Sequence, residues 1–358
     1  MVYNFSAGPA MMPPDVMCEA QKEFLDYHDS GMSVMELNHR SIMFNQIVDE
    51  AKQDLTDLLN IPDNYKILFL QGGASLQFAA IPMNLMKKKK AGFIMTGHWT
   101  QRAFDEASMY GEAVELASSA DRSYSYIPDI TNLSVDNTYD YVHICENNTI
   151  YGTEFKALPN TNGIDIVSDM SSCILSKPVD VSKYALIFAG AQKNMGPSGV
   201  TVVIVRDDLI TDDVLPITPM VMRYKKQVES DSRYNTPSCY GIYLCGKVFK
   251  WIKSMGGLSV MKALNDEKAK LFYDYIDESR LFTGTVEKEY RSTMNVTFTT
   301  GNADLDMEFV EDSKKYGFVS IKGHRFVGGL RASLYNAIPI ENVRALIEYM
   351  EKFERIHG

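Results

Sequence analysis

Three stretches of the chain carry residues whose types and spacing suit chemistry. Lys193 follows the apolar run Ala185–Ala189 and is boxed by small residues in Gly190-Ala191-Gln192-Lys193-Asn194-Met195-Gly196-Pro197-Ser198-Gly199. Burial lowers a lysine's pKa and frees the neutral amine to act as a nucleophile. A solvated lysine in a glycine-rich loop is the ordinary alternative. Asp169 follows the run Ile164–Val167. A carboxylate at the end of a buried strand is costly unless it is paired, so it reads either as a helix N-cap or as the partner of a cationic ligand group. Gln71-Gly72-Gly73-Ala74-Ser75-Leu76-Gln77-Phe78 follows the run Ile67–Leu70. Its glycines and serine lead into a helix whose backbone N–H groups can cradle a phosphate, although a plain strand-to-helix turn would look the same. Neither G-x-G-x-x-G nor a Walker A motif occurs, which weakens dinucleotide and NTP-hydrolase readings.

Together, a phosphate cradle, a carboxylate and a lysine at three strand ends are the set that a pyridoxal 5′-phosphate (PLP) site requires: an anchor, a partner for the pyridinium nitrogen and a Schiff-base amine. The elements that must position them are legible. Short apolar runs at Ile67–Leu70, Phe93–Met95, Tyr141–Cys145, Ile164–Val167, Ala185–Ala189 and Val200–Val205 suit strands buried on both faces. Helical or loop segments separate most of them, which implies an α/β fold with a mostly parallel sheet. Val200–Val205 follows its predecessor too closely for a helical crossover and is expected to run antiparallel. Phe44, Ile47, Val48, Ala51, Leu55, Leu58 and Leu59 mark one face of a helix over 41–60. After about residue 255 come a helix over 258–279, a strand over 292–300, a helix over 304–316 stopped by Gly317, the run Phe318–Ile321, a strand over 330–334 and a last helix. This predicts a large domain over 15–255 and a small α+β domain over 256–358.

Composition narrows the function classes. With 36 Lys+Arg against 46 Asp+Glu the net charge is −10, the wrong sign for a general polyanion binder. The run Lys87–Lys90 reads as a solvated helix end, with an anion patch as the alternative. The 45% hydrophobic content supports a large core rather than disorder. No apolar stretch approaches the ~20 residues of a membrane span. Met1–Ser6 has no basic or apolar leader character, and five cysteines without a C-x-x-C pair suit reduced thiols. A cytoplasmic location is expected, without a metal site, nucleic acid or membrane as partner.

Phe5-Ser6-Ala7-Gly8-Pro9-Ala10, Met35-Glu36-Leu37-Asn38-His39-Arg40-Ser41, Gln71–Phe78, Ala189–Gly199, Tyr234-Asn235-Thr236-Pro237-Ser238 and Lys322-Gly323-His324-Arg325-Phe326-Val327-Gly328-Gly329-Leu330-Arg331-Ala332-Ser333 are similar to the phosphoserine aminotransferases, in register from residue 4 to the last helix. The resemblance implies a class V, fold-type I PLP transferase with a seven-stranded sheet. It implies an N-terminal segment over 1–14 packed near the active site, and a homodimer with shared sites. The implied reaction exchanges an amino group between glutamate and 3-phosphohydroxypyruvate in serine biosynthesis, with 4-phosphohydroxythreonine of vitamin B6 biosynthesis as a second substrate in some members. On the matching positions, Lys193 is the Schiff-base lysine, Asp169 pairs with the pyridine nitrogen and Trp99 stacks on the ring from an irregular segment. Thr149 meets the cofactor's phenolate oxygen. Ala74, Ser75 and Gln192 hold the phosphate, and Asn235 and Thr236 reach it from the other subunit. Arg331 forks the α-carboxylate, and His39, Arg40, His324 and Arg325 bind the distal anion, some across the dimer. Some members carry arginine where this chain has Ser75, which leaves the make-up of the distal site open. A cysteine desulfurase would need a reactive cysteine on a flexible loop, a glyoxylate aminotransferase would not need the His324-Arg325 pair, and a PLP carrier would need no substrate cations.

Overall fold

A computed structural model of the chain describes residues 2–358. The chain opens with β1 (Tyr3–Asn4), α1 (Pro14–Lys22) and α2 (Ile42–Leu59). Ser41 caps α2 by accepting from the Phe44 N–H, and Asn60 ends it in the left-handed conformation at φ 47°, a residue type that tolerates that region. The central sheet then takes β2 (Tyr65–Leu70), β3 (Lys90–Met95), β4 (Glu112–Ser118), β5 (Tyr141–Cys145), β6 (Ile166–Asp169), β7 (Leu186–Gly190) and β8 (Thr201–Arg206). Their order is β2-β8-β7-β6-β5-β3-β4. Every pairing is parallel except those of β8, which runs against both β2 and β7. That is the expected reversal, made by the loop after β7. The other six strands therefore end on one edge of the sheet.

Alternating side chains feed two cores. Ile67, Phe69, Val142 and Ile144 pack on one face beneath α2 and α6 (Cys239–Ser254), which follows α5 (Tyr224–Glu229). Leu68, Phe93, Val167 and Phe188 pack on the other beneath α3 (Gly73–Leu85) and α4 (His98–Ala107). A third core joins α7 (Gly257–Glu278), β10 (Asn295–Thr299), α8 (Ala303–Ser313), β12 (Leu330–Ser333) and α9 (Ile340–His357). Here β10 pairs with β12 and with β9 (Thr283–Gly284). Phe5 is buried in this core, and β1 pairs with β11 (Phe318–Val319), so the chain's start is tied to its C-terminal region. Among the described residues no helix is long and apolar enough to cross a membrane, and all five cysteines are free.

The sheet has the seven strands that the resemblance implies: six correspond to the apolar runs, and the seventh is β4 at the edge. Glu112 and Glu115 are exposed there, because an edge strand has only one neighbour to bury it. The run Lys87–Lys90 is no helix end. α3 stops at Leu85, and the lysines turn into β3 with the Lys88 N–H donating to Asp140.

His143 sits inside β5, 2% exposed, stacked on Phe93 at 5.4 Å between centroids, with no partner for either ring nitrogen. Burial pushes its pKa down to about 3 from an ordinary 6.5. The unfolded chain thus binds a proton that the folded one refuses between those values, and stability falls as pH drops from 6.5 toward 3. Over the two pH units below 6.5 this one group costs roughly 2 kcal/mol. His143→Leu should flatten the loss of urea resistance between pH 6.5 and 4.5 by about that much; an unchanged pH profile would contradict it.

Candidate active site

The carboxyl edge of the sheet opens onto a cavity of about 340 Å³ lined by Gly73, Ala74, Ser75, Trp99, Thr149, Asp169, Gln192, Lys193, His324 and Arg331, with Ala7 and Gly8 beside them. Each strand supplies its part. Asp169 is the last residue of β6, and its Oδ1 accepts from the Ser171 N–H at 2.9 Å. Lys193 comes three residues after β7, on a loop in which the Ala191 carbonyl accepts from the N–H groups of Lys193, Met195 and Gly196. Gly72 and Gly73 turn the chain at positive φ (88° and 66°) into α3. The first N–H groups of a helix have no partner within it, and Ala74 and Ser75, in the first turn of α3, line the cavity. Trp99 is the second residue of α4, not part of an irregular segment.

Thr149 follows β5 and joins two functional side chains. Its hydroxyl accepts from Lys193 Nζ at 2.7 Å and its carbonyl accepts from Arg331 Nη1 at 2.9 Å. Arg331 reaches it from β12, so a residue of the C-terminal region completes the site.

The electrostatics are those of a site built for a guest. Lys193 is half-buried and lines the cavity, yet surrounding protein desolvates its amine and lowers the pKa, with Asp169 opposing. Asp169 is 4% exposed; burial raises its pKa, against the Ser171 hydrogen bonds and Lys193. Burial also lowers Arg331. Amine and carboxylate influence one another, but among the described residues no ion pair joins them, and each bonds elsewhere, Lys193 to Thr149 and Asp169 to Ser171. Trp99 Nε1 and Arg331 Nε are buried without a partner. Backbone crowds the lysine from the N-terminal segment: a Cβ on Gly8 (φ 127°) would stand 3.2 Å from Lys193 Cγ, while the Ala10 N–H donates to the Gln192 carbonyl and the Tyr335 hydroxyl to that of Ala7.

PLP fits this donor set. The cavity offers an amine whose pKa burial lowers, a separate carboxylate for a protonated ring nitrogen, and a helix start for a phosphate. Its remaining unpaired donors are of the kind that bind a carboxylate.

The class V aminotransferase family matches residues 2–346. Phosphoserine aminotransferase of Listeria monocytogenes is 52% identical over 354 residues, covering 98% of this chain and 96% of that one. The chain belongs to the phosphoserine aminotransferase family. Among solved structures, the phosphoserine aminotransferase of Bacillus circulans subsp. alkalophilus superposes with a TM-score of 0.97 at 46% identity, over 100% of this chain and 99% of that one. The PLP-bound phosphoserine aminotransferase of Trichomonas vaginalis gives 0.94 at 39% identity, over 98% and 100%. PLP is therefore the cofactor of this chain, an α/β fold-type I transferase.

Measured against the residues expected for a phosphoserine aminotransferase, the single chain brings Ala74, Ser75, Trp99, Thr149, Asp169, Gln192, Lys193, His324 and Arg331 to one cavity. It does not bring the others there. His39 is half-buried and Arg40 exposed in the turn before α2. Asn235 and Thr236 are exposed and meet Gln71, whose Nε2 donates to the Thr236 carbonyl at 3.0 Å. Arg325 is exposed with its guanidinium 5.0 Å from the Phe326 ring centroid. Two features went unread in the sequence. His98, next to Trp99, lies 6.5 Å from the His324 ring and 4.7 Å from that of Phe326; burial, then Arg102 and Arg325, lowers its pKa. The motif Gly97-His98-Trp99 was its only signal. The double attachment of Thr149 had none.

Thr149→Val separates those attachments. It removes the hydroxyl under Lys193 and leaves the carbonyl under Arg331. Losing one hydrogen bond from a charged group costs roughly 1.5–3 kcal/mol, so turnover should fall about 10- to 150-fold while the KM for the amino-acid substrate barely moves. A rise in that KM matching the fall in turnover would refute the separation.

Proposed function

We propose that this chain catalyses reversible amino transfer between L-glutamate and 3-phosphohydroxypyruvate, giving 2-oxoglutarate and O-phospho-L-serine. One observation carries the reading: a buried carboxylate ends one strand and a desolvated lysine follows the neighbouring one, the two lining one cavity without pairing, in a chain half identical to a phosphoserine aminotransferase.

When bound, PLP supplies a carbonyl for the substrate's amine and a ring that draws electrons from the bond breaking at the substrate Cα. The residues do the rest. Lys193 takes the proton from Cα and returns it on the other side of the reaction, a task suited to an amine whose pKa burial has lowered. Asp169 holds the proton on the ring nitrogen. Trp99 covers one side of the cavity and keeps water from it. Thr149 keeps the Lys193 amine in place, and Arg331 forks the α-carboxylate common to both substrates, for which its unpaired Nε is free. Ala74, Ser75 and Gln192 hold the phosphate of the cofactor. His324 and Arg325 take the distal anion of the substrate. His39, Arg40, Asn235 and Thr236 complete the site from a second copy of the chain, which accords with their lying outside this chain's own cavity. In this reading residues 1–14 belong with the site, 15–255 form the large domain and 256–358 the small one.

Coupled turnover with glutamate and a panel of keto acids tests the substrate. Only phosphorylated keto acids should be efficient acceptors; equal rates with their unphosphorylated counterparts would refute the reading. Arg325→Ala should weaken phosphohydroxypyruvate by about 10-fold or more, since a dianion loses a charge-assisted bond worth roughly 1.5–3 kcal/mol, and glutamate by less. Equal losses would count against a phosphate role. Arg331→Lys should impair both substrates, because a point charge replaces a bidentate fork; damage to one alone would remove Arg331 from the α-carboxylate.

A further inference from the structure

Thr149 can hold Lys193 and Arg331 only if its own loop is fixed. That loop is a tight reversal over 146–155. The Asn148 N–H donates to the Thr153 carbonyl and the Gly152 N–H to that of Asn148, both at 2.8 Å, and the Phe155 N–H donates to the Glu146 carbonyl at 2.9 Å. Asn147 and Glu154 form an antiparallel bridge across the stem. Both strands of this stem bring a buried carboxylate, Glu146 at 5% and Glu154 at 3% exposure. Two like charges this close in a poorly hydrated place push the stem apart unless a cation lies between them.

Lys177 is that cation. Its Nζ lies 2.6 Å from Glu154 Oε1 and 3.8 Å from Glu146 Oε1. The remaining carboxylate oxygens are also engaged. The Tyr184 hydroxyl donates to Glu146 Oε2 at 2.9 Å, and Glu154 Oε2 accepts from Lys156 Nζ at 3.2 Å and from the Thr293 N–H at 3.1 Å. Thr293 lies two residues before β10, which pairs Thr297 with Arg331. The stem thus also grips the strand pair that carries the guanidinium. Lys177 itself lines a separate cavity of about 240 Å³ together with Glu146, Lys156, Lys183 and Tyr184, and none of these five lines the active-site cavity.

We propose that Lys177 is a positioning residue for amino transfer: by bridging Glu146 and Glu154 it locks the loop that places Thr149, and through Thr149 it sets both the Lys193 amine and the Arg331 guanidinium. Burial pushes both carboxyls up; at Glu154 the Lys177 and Lys156 amines and the Thr293 N–H outweigh it and hold the pKa below the usual value, whereas at Glu146 burial and the neighbouring Glu154 prevail over Lys177 and the Tyr184 hydroxyl. Loss of the Lys177 charge leaves two buried carboxylates facing each other, and the loop opens. This rests on the activity proposed above, but the loop's own stability can be read without turnover.

Lys177→Met, Lys177→Arg and the double variant Lys177→Met/Glu154→Gln test it in the full-length holoenzyme, with hydrogen exchange at the Asn148 and Gly152 amides alongside kinetics. Lys177→Met should deprotect those two amides, lower kcat on the order of 10- to 100-fold, as for a misplacement of about 1 Å, and raise the KM for glutamate through Arg331. Lys177→Arg should restore most of each. The double variant should recover amide protection and kcat relative to Lys177→Met, because it removes one of the two opposed charges; it also serves if Lys177→Met does not fold. Lys183→Met, which removes a lysine paired only with Asp180 at 3.9 Å, should match the wild type. A Lys177→Met protein with a lowered melting temperature but wild-type kcat, KM and amide protection would overturn the proposal, as would a double variant no better than the single one. A wild-type protein without turnover would refute the proposed activity, and amide protection would still decide the clamp.

Discussion

Everything at this site depends on keeping an amine and a carboxylate in one poorly hydrated cavity without letting them meet. Lys193 and Asp169 each carry the cost of desolvation, which drives their pKa values toward each other. An ion pair between them would relieve that cost and fill the space a guest needs. The fold prevents it by giving each a different partner: Lys193 donates to the Thr149 hydroxyl, and Asp169 accepts from the Ser171 backbone. Both groups stay available, and a cofactor that brings a cationic ring nitrogen for the carboxylate and an electrophilic carbonyl for the amine suits both at once.

The sheet makes this arrangement possible. Six strands run the same way and end on one edge, and only β8 is reversed. Parallel strands buried on both faces are rigid supports, and a residue at their ends is held more closely than one on a free loop. The C-terminal region adds what the sheet cannot supply. Arg331 arrives on a strand from another core and bonds to the backbone of Thr149, so the guanidinium is fixed relative to the lysine by a single residue.

How much of this the sequence disclosed depended on whether the cause was local. The helix over 41–60 was readable because its apolar stripe and the Pro62 just beyond it lie close together along the chain; the structure adds the Ser41 cap and the left-handed Asn60. Lys193 and Asp169 were readable because each lies within a few residues of the end of an apolar run. The edge strand β4 was not, since its exposed glutamates hide the apolar pattern. α6 was also missed. Gly241 and Gly246 lower its helix propensity, yet Gly246 is there because a Cβ would come within 3.3 Å of the Ala51 Cβ on α2, a demand of packing that only the folded chain reveals. The clamp of Lys177 on Glu146 and Glu154 was invisible for the same reason. Its three residues look like ordinary surface charges until the fold buries two of them. The cations at His39 and Arg40 were recognised by resemblance, and a single chain does not bring them to the cavity.

Reduction of the PLP-loaded protein with borohydride, followed by peptide mapping, tests the central claim most directly. A single pyridoxyl adduct on Lys193 is the predicted result. An adduct on another lysine, or none, would contradict the account of how this cavity holds its cofactor.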